Sequence, residues 1–267
     1  MEDKRARHRA KLKKLRTSYA AKLPRRLNEL AELVSLLVDS PTPDKARQAV
    51  DDVHAQAHKL SGSAGTFGYA AVSDAAHQLE VFSLALLDEG VSPTAEHCQK
   101  AEELLSNLIV AGNKPQTDNR TDRSAPEEQP SVEENQGKTI IVVEDDEHLL
   151  EHLSTQLSDF DFNVESLLTP TDLRKQIAIT PPSAVIMDIS FPDGRDVGLD
   201  TIRELESEGT LACPVVYMTG RNDFDARLTA LRNGCDGYIT KPIDTLEMVR
   251  TLQRLTIKED VAPYRIL

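Results

Sequence analysis

Between Ala111 and Gly137 the chain reads AGNKPQTDNRTDRSAPEEQPSVEENQG, 27 residues in which Val132 is the one aliphatic side chain larger than alanine. With no aromatic residue and repeated Pro, Glu, Asn and Ser, this stretch has nothing to bury and cannot offset the entropy of ordering its backbone. It therefore cuts the 267-residue chain into two parts, each of which must build its own core. Read as a flexible linker over 111–137, it has a typical reach of about 30 Å, enough to let two small domains touch without forcing them to.

The two parts carry different periodicities. Upstream, Leu12, Leu15, Tyr19, Leu23, Leu27, Leu30, Val34 and Leu37 recur at three- and four-residue steps, the stripe of an amphipathic helix. A second helix is predicted after Pro43, with Asp44 in its first turn and Ala46, Val50, Val53, Ala57 and Leu60 on its apolar face, weakening at Gly62, Gly65 and Gly68. A third is predicted from about Ala70 to Leu87, ending at Gly90, and a fourth from a Ser92-Pro93 start to about Val110. Four helices on short turns predict an antiparallel all-α bundle over 1–110.

From Lys138 short apolar runs alternate with helical stretches: Thr139 to Val143, Asn163 to Leu167, Ala184 to Met187, Pro214 to Met218 and Gly237 to Ile239. This alternation predicts a doubly wound α/β domain over 138–258 with a five-stranded parallel sheet, the flavodoxin-like arrangement. The chain is thus multidomain, an all-α unit followed by an α/β unit, with a tail at 259–267.

Charge and composition narrow the functions. The formal net charge is −13, yet residues 1–30 hold eleven Lys or Arg against three Asp or Glu, which leaves a net −21 for the remainder. The basic residues lie between the apolar positions of the first helix, so they read as its solvated face, and nucleic acid is a disfavoured partner. No apolar run approaches the ~20 residues that span a bilayer, and the basic start lacks the apolar core of a secretory signal. The expected location is cytoplasmic, with no membrane partner. Cys98, Cys213 and Cys235 are scattered and form no CxxC pair, which argues against a disulfide framework or a zinc site.

In an open parallel sheet the ligand site lies outside the carboxyl ends of the strands. Those positions hold Glu144 and Asp145 after the first predicted strand, Asp188 after the third, Thr219 after the fourth and Lys241-Pro242 after the fifth. One acidic residue at a strand end commonly just caps a helix. Three carboxylates converging on one point repel, unless a hard divalent cation such as Mg²⁺ or Mn²⁺ sits among them and offers open positions to a phosphate. Asp188 can then be a nucleophile, Lys241 a fixed cation and the Thr219 hydroxyl a donor.

The segments IIVVEDDEHLL, AVIMDISFP, VVYMTG and GYITKP resemble the four signatures of response-regulator receiver domains, over about residues 138–258. The resemblance implies that Asp188 is the phosphoacceptor, that Glu144, Asp145, Asp188 and the Ser190 backbone carbonyl hold Mg²⁺, and that Asp146 starts a helix. It implies that Thr219 and Tyr238 form a switch pair, that Lys241 precedes a cis bond to Pro242, and that Ser190 and Arg221 tune phosphoryl lifetime. The segment DISFPDGRDVG, from Asp188 to Gly198, is about two residues longer than the usual loop. Two residues beyond Asp188 stands Ser190, where a phosphohydrolase with an Asp nucleophile has a second Asp, which disfavours that chemistry.

In the helical part, AHKLSGSAGTFGY around His58 resembles the acceptor motif of histidine phosphotransfer domains, four-helix bundles, over about residues 10–110. It implies His58 as a second phosphoacceptor, with Gly62 and Gly65 giving clearance for a docking receiver. Ser61 stands where many members have Lys, with Lys59 at the position after the histidine. His54, His77 and His97 are expected to be ordinary surface residues. Together the resemblances imply a regulatory phosphorelay protein rather than an enzyme, with a histidine kinase or its receiver or phosphotransfer domain as partner. The alternatives are a docking scaffold that never turns over phosphate, or a regulatory fragment of a larger enzyme such as a diguanylate cyclase. APYRIL at the end resembles the entry to a further receiver domain, with an output domain possible in cis.

Overall fold

The structure, a computed structural model, describes residues 2–39, 42–90, 92–114, 135–192, 194, 196–220 and 235–256. The central linker residues 115–134, Arg221 and the tail at 259–267 lie outside the described residues. The chain divides into two compact units, one helical and one α/β.

In the helical unit, α1 (Glu2–Val38), α2 (Pro43–Ala64), α3 (Ala70–Glu89) and α4 (Ala95–Gly112) form a four-helix bundle. Its core draws on all four helices, with Leu30, Leu60, Leu79 and Leu108 each at most 1% exposed. Truncating any of them to alanine would cost about 2–5 kcal/mol, because a close-packed core relaxes only partly around the cavity. The predicted stripe of α1 is buried from Leu15 onward, with Leu12 half-buried at its edge. Helix α2 opens on a Thr42 cap that accepts from Lys45 N, and α3 closes on Gly90 in the left-handed region at φ +64°. The fourth helix starts two residues later than the Ser92-Pro93 signal suggests. Thr94, not Ser92, is extended and accepts from His97 N, while the His97 ring accepts from Thr94 N, so the two residues satisfy each other's end groups.

The α/β unit comprises β1 (Thr139–Val143), α5 (Glu147–Asp159), β2 (Asn163–Leu167), α6 (Leu173–Ile179), β3 (Ala184–Asp188), α7 (Val197–Ser207), β4 (Val215–Thr219), β5 (Gly237–Thr240) and α8 (Thr245–Thr256). The five strands are parallel in the order β2-β1-β3-β4-β5. Alternate residues of β1 enter opposite cores. Ile140 and Val142 pack with leucines of α5 and with Met248, Val249 and Leu252 of α8; Ile141 and Val143 pack with α6 and α7. Because β1, β3 and β4 are buried on both faces they read as continuous apolar runs, whereas the edge strand β2 is half or more exposed. The order reverses between β1 and β3, and the crevice outside their carboxyl ends is where such a sheet binds ligands.

Asn135, part of a stretch whose composition reads as linker, is fully buried against this unit. Its Nδ2 donates to the Phe160 carbonyl at 2.8 Å, and its Oδ1 accepts from Gln253 Nε2 of α8 at 3.1 Å. Replacing it with alanine leaves a buried carbonyl and a buried amide without this partner, at a cost of about 1–3 kcal/mol. The variant N135A should therefore lower the denaturation midpoint of the α/β unit in the full chain, and an unchanged midpoint would show that the buried amide contributes nothing.

Candidate functional site

The carboxyl ends of β1, β3, β4 and β5 bring together Glu144, Asp145, Asp188, Thr219 and Lys241. Glu144 follows β1 directly and is fixed there by its amide, which donates to the Leu167 carbonyl of β2 at 3.0 Å. Glu144 is 1% exposed, Asp188 2% and Lys241 4%, so one ammonium and two carboxylates are removed from water together. Lys241 Nζ donates to Glu144 Oε2 at 2.8 Å and to Asp188 Oδ2 at 2.6 Å. Its backbone amide donates to the Thr219 carbonyl at 2.7 Å, and the Lys241–Pro242 peptide is cis.

Burial pushes the Glu144 carboxyl up; Lys241 opposes this, but Asp188 and Asp145 add to it, and the net direction is upward. Burial alone would lower the Lys241 ammonium, yet Asp188 and Glu144 outweigh it and hold the lysine well above its ordinary range. The lysine is therefore permanently charged. Glu144, Asp145 and Asp188 each offer an oxygen, and these lie within 4.8 Å of one another. Three carboxylates against a single ammonium suit a hard divalent cation, because all three offer oxygen and their mutual repulsion is relieved by it. The Thr219 Oγ1 is buried with no hydrogen-bond partner among the described residues, a donor held ready at the mouth of β4.

Neighbouring backbone makes the constellation possible. Asp146 caps α5, accepting from His148 N and Leu149 N, while its own amide donates to Glu144 Oε1 at 3.1 Å. Of three consecutive acidic residues, the last serves the helix. Gly198, at the start of α7, lies so close to β3 that a Cβ there would stand 2.0 Å from the Asp188 carbonyl oxygen. That contact is backbone, which cannot swing away as a side chain could. The lengthened loop between them folds on itself, with Phe191 and Gly194 exchanging two backbone hydrogen bonds and Phe191 buried in the core. Ser190 is half-buried just beyond β3, and Tyr238, on β5, packs half-buried against the core beside α7.

In the helical unit His58 projects from α2 with its side chain 17% exposed, and its Nδ1 lies 2.7 Å from Glu80 Oε1 of α3. The other carboxylate oxygen of Glu80 meets His77 Nδ1 at 3.1 Å. Burial would raise the Glu80 carboxyl, but the hydrogen bonds with His58 and His77 together outweigh it and hold the group well below the usual carboxylate range. The same Glu80 hydrogen bond raises His77 above 6.5, against partial burial and the nearby His58, with help from the charges of Glu80 and Asp74. A carboxylate accepts and does not donate, so His58 Nδ1 carries a proton, and in the neutral ring Nε2 holds the lone pair. Gly62 is buried in the last turn of α2 and Gly65 caps its end. Phe67, two residues on, is fully buried and stacks on Tyr19 of α1 at 4.2 Å between ring centroids. Glu80 gave no sign in the sequence, and His77, expected at the surface, is half-buried against it.

Residues 140–253 match the response regulator receiver domain family, and residues 14–114 match the Hpt domain family. The chain is an Hpt domain followed by a response regulator receiver domain. The receiver domain is 32% identical over 120 residues to the transcriptional regulatory protein GltR of Pseudomonas aeruginosa, covering 45% of this chain and 49% of that protein. It is 33% identical over 126 residues to the response regulator MprA of Mycobacterium bovis, covering 46% and 54%. The chain thus spans about half the length of the curated relatives it matches. Among solved structures, the N-terminal domain of the nisin resistance regulator NsrR aligns at 26% identity and a TM-score of 0.41, covering 46% of this chain and 100% of that one. The receiver domain of the Francisella response regulator 1452 aligns at 17% and 0.41, covering 45% and 96%. Hpt and receiver domains are phosphotransfer and regulatory modules of two-component phosphorelays. No described helix is long and apolar enough to cross a membrane.

Two measurements follow from this geometry. Gly198→Ala should destabilise the receiver domain and displace the end of β3, seen as a lowered unfolding midpoint together with weakened Mg²⁺ binding; wild-type values for both would refute the close approach. In the Hpt domain, protonated His77 stabilises the fold below about pH 6.5 and that contribution fades as pH rises through its raised folded value. Ionised Glu80 contributes above its ordinary value of 4.5 and is lost only at much lower pH. The His77 ring should therefore titrate above 6.5 by NMR and fall back in Glu80→Gln; an unmoved midpoint would remove Glu80 as the cause.

Proposed function

We propose that this phosphorelay protein carries phosphate at two positions, Asp188 of the receiver domain and His58 of the Hpt domain, joined by a tether over 111–137. The observation that carries the reading is the convergence of the buried Glu144, Asp188 and Lys241 with the half-buried Asp145 around a strand end where the Thr219 hydroxyl has no partner among the described residues. A docking scaffold would have no use for so costly an assembly of buried charge.

At the receiver, an Asp188 carboxylate oxygen attacks the phosphorus of a phosphohistidine. The new O–P bond forms as the P–N bond breaks, and the leaving imidazole keeps the electron pair and takes up a proton. Lys241 and the Thr219 hydroxyl are placed to meet the non-bridging oxygens, the pattern that phosphoryl transfer requires of a protein. Glu144, Asp145, Asp188 and the Ser190 carbonyl would hold Mg²⁺ or Mn²⁺, which when bound neutralises charge on the phosphoryl oxygens. Thr219 and Tyr238 are taken as the switch pair that reports the acylphosphate to the β4–β5 surface, with Ser190 and Arg221 tuning its lifetime. At the Hpt domain the His58 Nε2 lone pair attacks the phosphorus of an aspartyl phosphate, and the departing carboxylate keeps the P–O electron pair. Gly62 and Gly65 leave room for the incoming receiver. The outside partner is a histidine kinase or its receiver, and the output is a partner or a further domain.

Incubation with acetyl phosphate and Mg²⁺, or with phosphoramidate, should label the chain. Asp188→Asn should remove the alkali-labile acylphosphate, and His58→Gln the acid-labile, alkali-stable phosphohistidine. Labelling of both variants at the wild-type level and stability would overturn the assignment.

A further inference from the structure

The Hpt domain presents two histidines one helical turn apart on α2, and only one of them has been given a task. His54 is half-buried, with its ring centroid 6.4 Å from that of His58. Its Nδ1 lies 3.2 Å from the Glu80 main-chain carbonyl and 3.5 Å from Ser83 Oγ, both on α3. A carbonyl oxygen can only accept, so this nitrogen carries a proton. Ser83, 2% exposed, donates from the same hydroxyl to the Leu79 carbonyl at 2.8 Å and to the Glu80 carbonyl at 2.9 Å. The turn of α3 that bears Glu80 is thus held by its main chain from α2, while its carboxylate is held by His58 and His77.

We propose that His54 is a positioning residue for the acceptor: its Nδ1–H, bonded to the Glu80 carbonyl, fixes the register of α3 against α2 so that the Glu80 carboxylate keeps His58 in the Nδ1–H tautomer. The inference rests on reading His58 as the acceptor. The physical need is specific. Helices pack through side chains that tolerate sliding by a fraction of an ångström, whereas the His58–Glu80 bond, at 2.7 Å, does not. A hydrogen bond from His54 to the backbone of Glu80 itself constrains the residue that matters, independently of the flexible Glu side chain. Loss of that bond lets Glu80 drift, His58 samples the tautomer with its proton on Nε2, and the nucleophilic lone pair is blocked for that fraction of the time.

The test compares His54→Phe, which keeps the ring and loses the donor, with His54→Asn, whose amide nitrogen can occupy the place of Nδ1. In the full chain, the ¹⁵N shifts of the His58 ring report its tautomer, and phosphoramidate labelling of His58 gives the rate and its dependence on donor concentration. The Phe variant is expected to shift His58 toward the Nε2–H tautomer and to lower the maximal rate several-fold at little-changed half-saturation and thermal midpoint. The Asn variant should restore both. If the Phe variant does not fold, His54→Gln, whose amide reaches toward the position of Nε2 instead, carries the same expectation. A wild-type tautomer and rate in the donor-less variant overturns the proposal, as does a loss that Asn does not rescue. Failure of the underlying reading looks different: His58→Gln would then keep the phosphohistidine label.

Discussion

The receiver domain is organised around one buried ammonium. Lys241 sits 4% exposed between Glu144 and Asp188, and each of the three would be costly to bury alone. Removing one partner of such a group typically costs about 3–5 kcal/mol, because the others are left charged and out of water. The fold therefore has to deliver all three at once, which it does by placing each at the carboxyl end of a parallel strand. β1 and β3 are adjacent in the sheet and supply the carboxylates; β5, two strands away, supplies a side chain long enough to reach back. The Lys241 amide bonded to the Thr219 carbonyl fixes where that reach begins. The close approach of Gly198 brings the start of α7 against the Asp188 backbone, and Asp146 caps α5 beside Glu144.

The Hpt domain addresses a related problem by different means. Here the carboxylate of Glu80, rather than the histidine, is the group held by two partners, one on each oxygen. An ionised Glu80 fixes a proton on the Nδ1 of His58, so that in the neutral ring the lone pair sits on Nε2, a buried atom. Charge is gathered around a buried ammonium in one domain and selects a proton position in the other.

Much of this was legible from the residues alone. Five short apolar runs gave the strands because three of them are buried on both faces, and the rule that ligands bind beyond strand ends then picked out Glu144, Asp145, Asp188, Thr219 and Lys241. The stripe from Leu15 to Leu37 gave α1 for the same reason of one-sided burial. What escaped were contacts made across helices. Glu80 lies 22 positions from His58, and nothing in its local sequence separates it from a surface glutamate. Ser92-Pro93 carries a stronger start signal than Thr94, yet the cap is decided by which residue adopts an extended backbone beside a reciprocating side chain three positions on. Asn135 reads as linker because composition weighs neighbours, whereas its burial depends on two hydrogen bonds to residues 25 and 118 positions away.

The central claim is that the carboxylates and Lys241 form a site for a divalent cation and a phosphoryl group on Asp188. Fluoroberyllate, which mimics a phosphoryl group on a carboxylate, probes it directly through ¹⁹F NMR of the full chain. The account predicts bound fluorine resonances only when Mg²⁺ is present, and none in Asp188→Asn. Bound resonances without the cation, or their persistence in that variant, would contradict it.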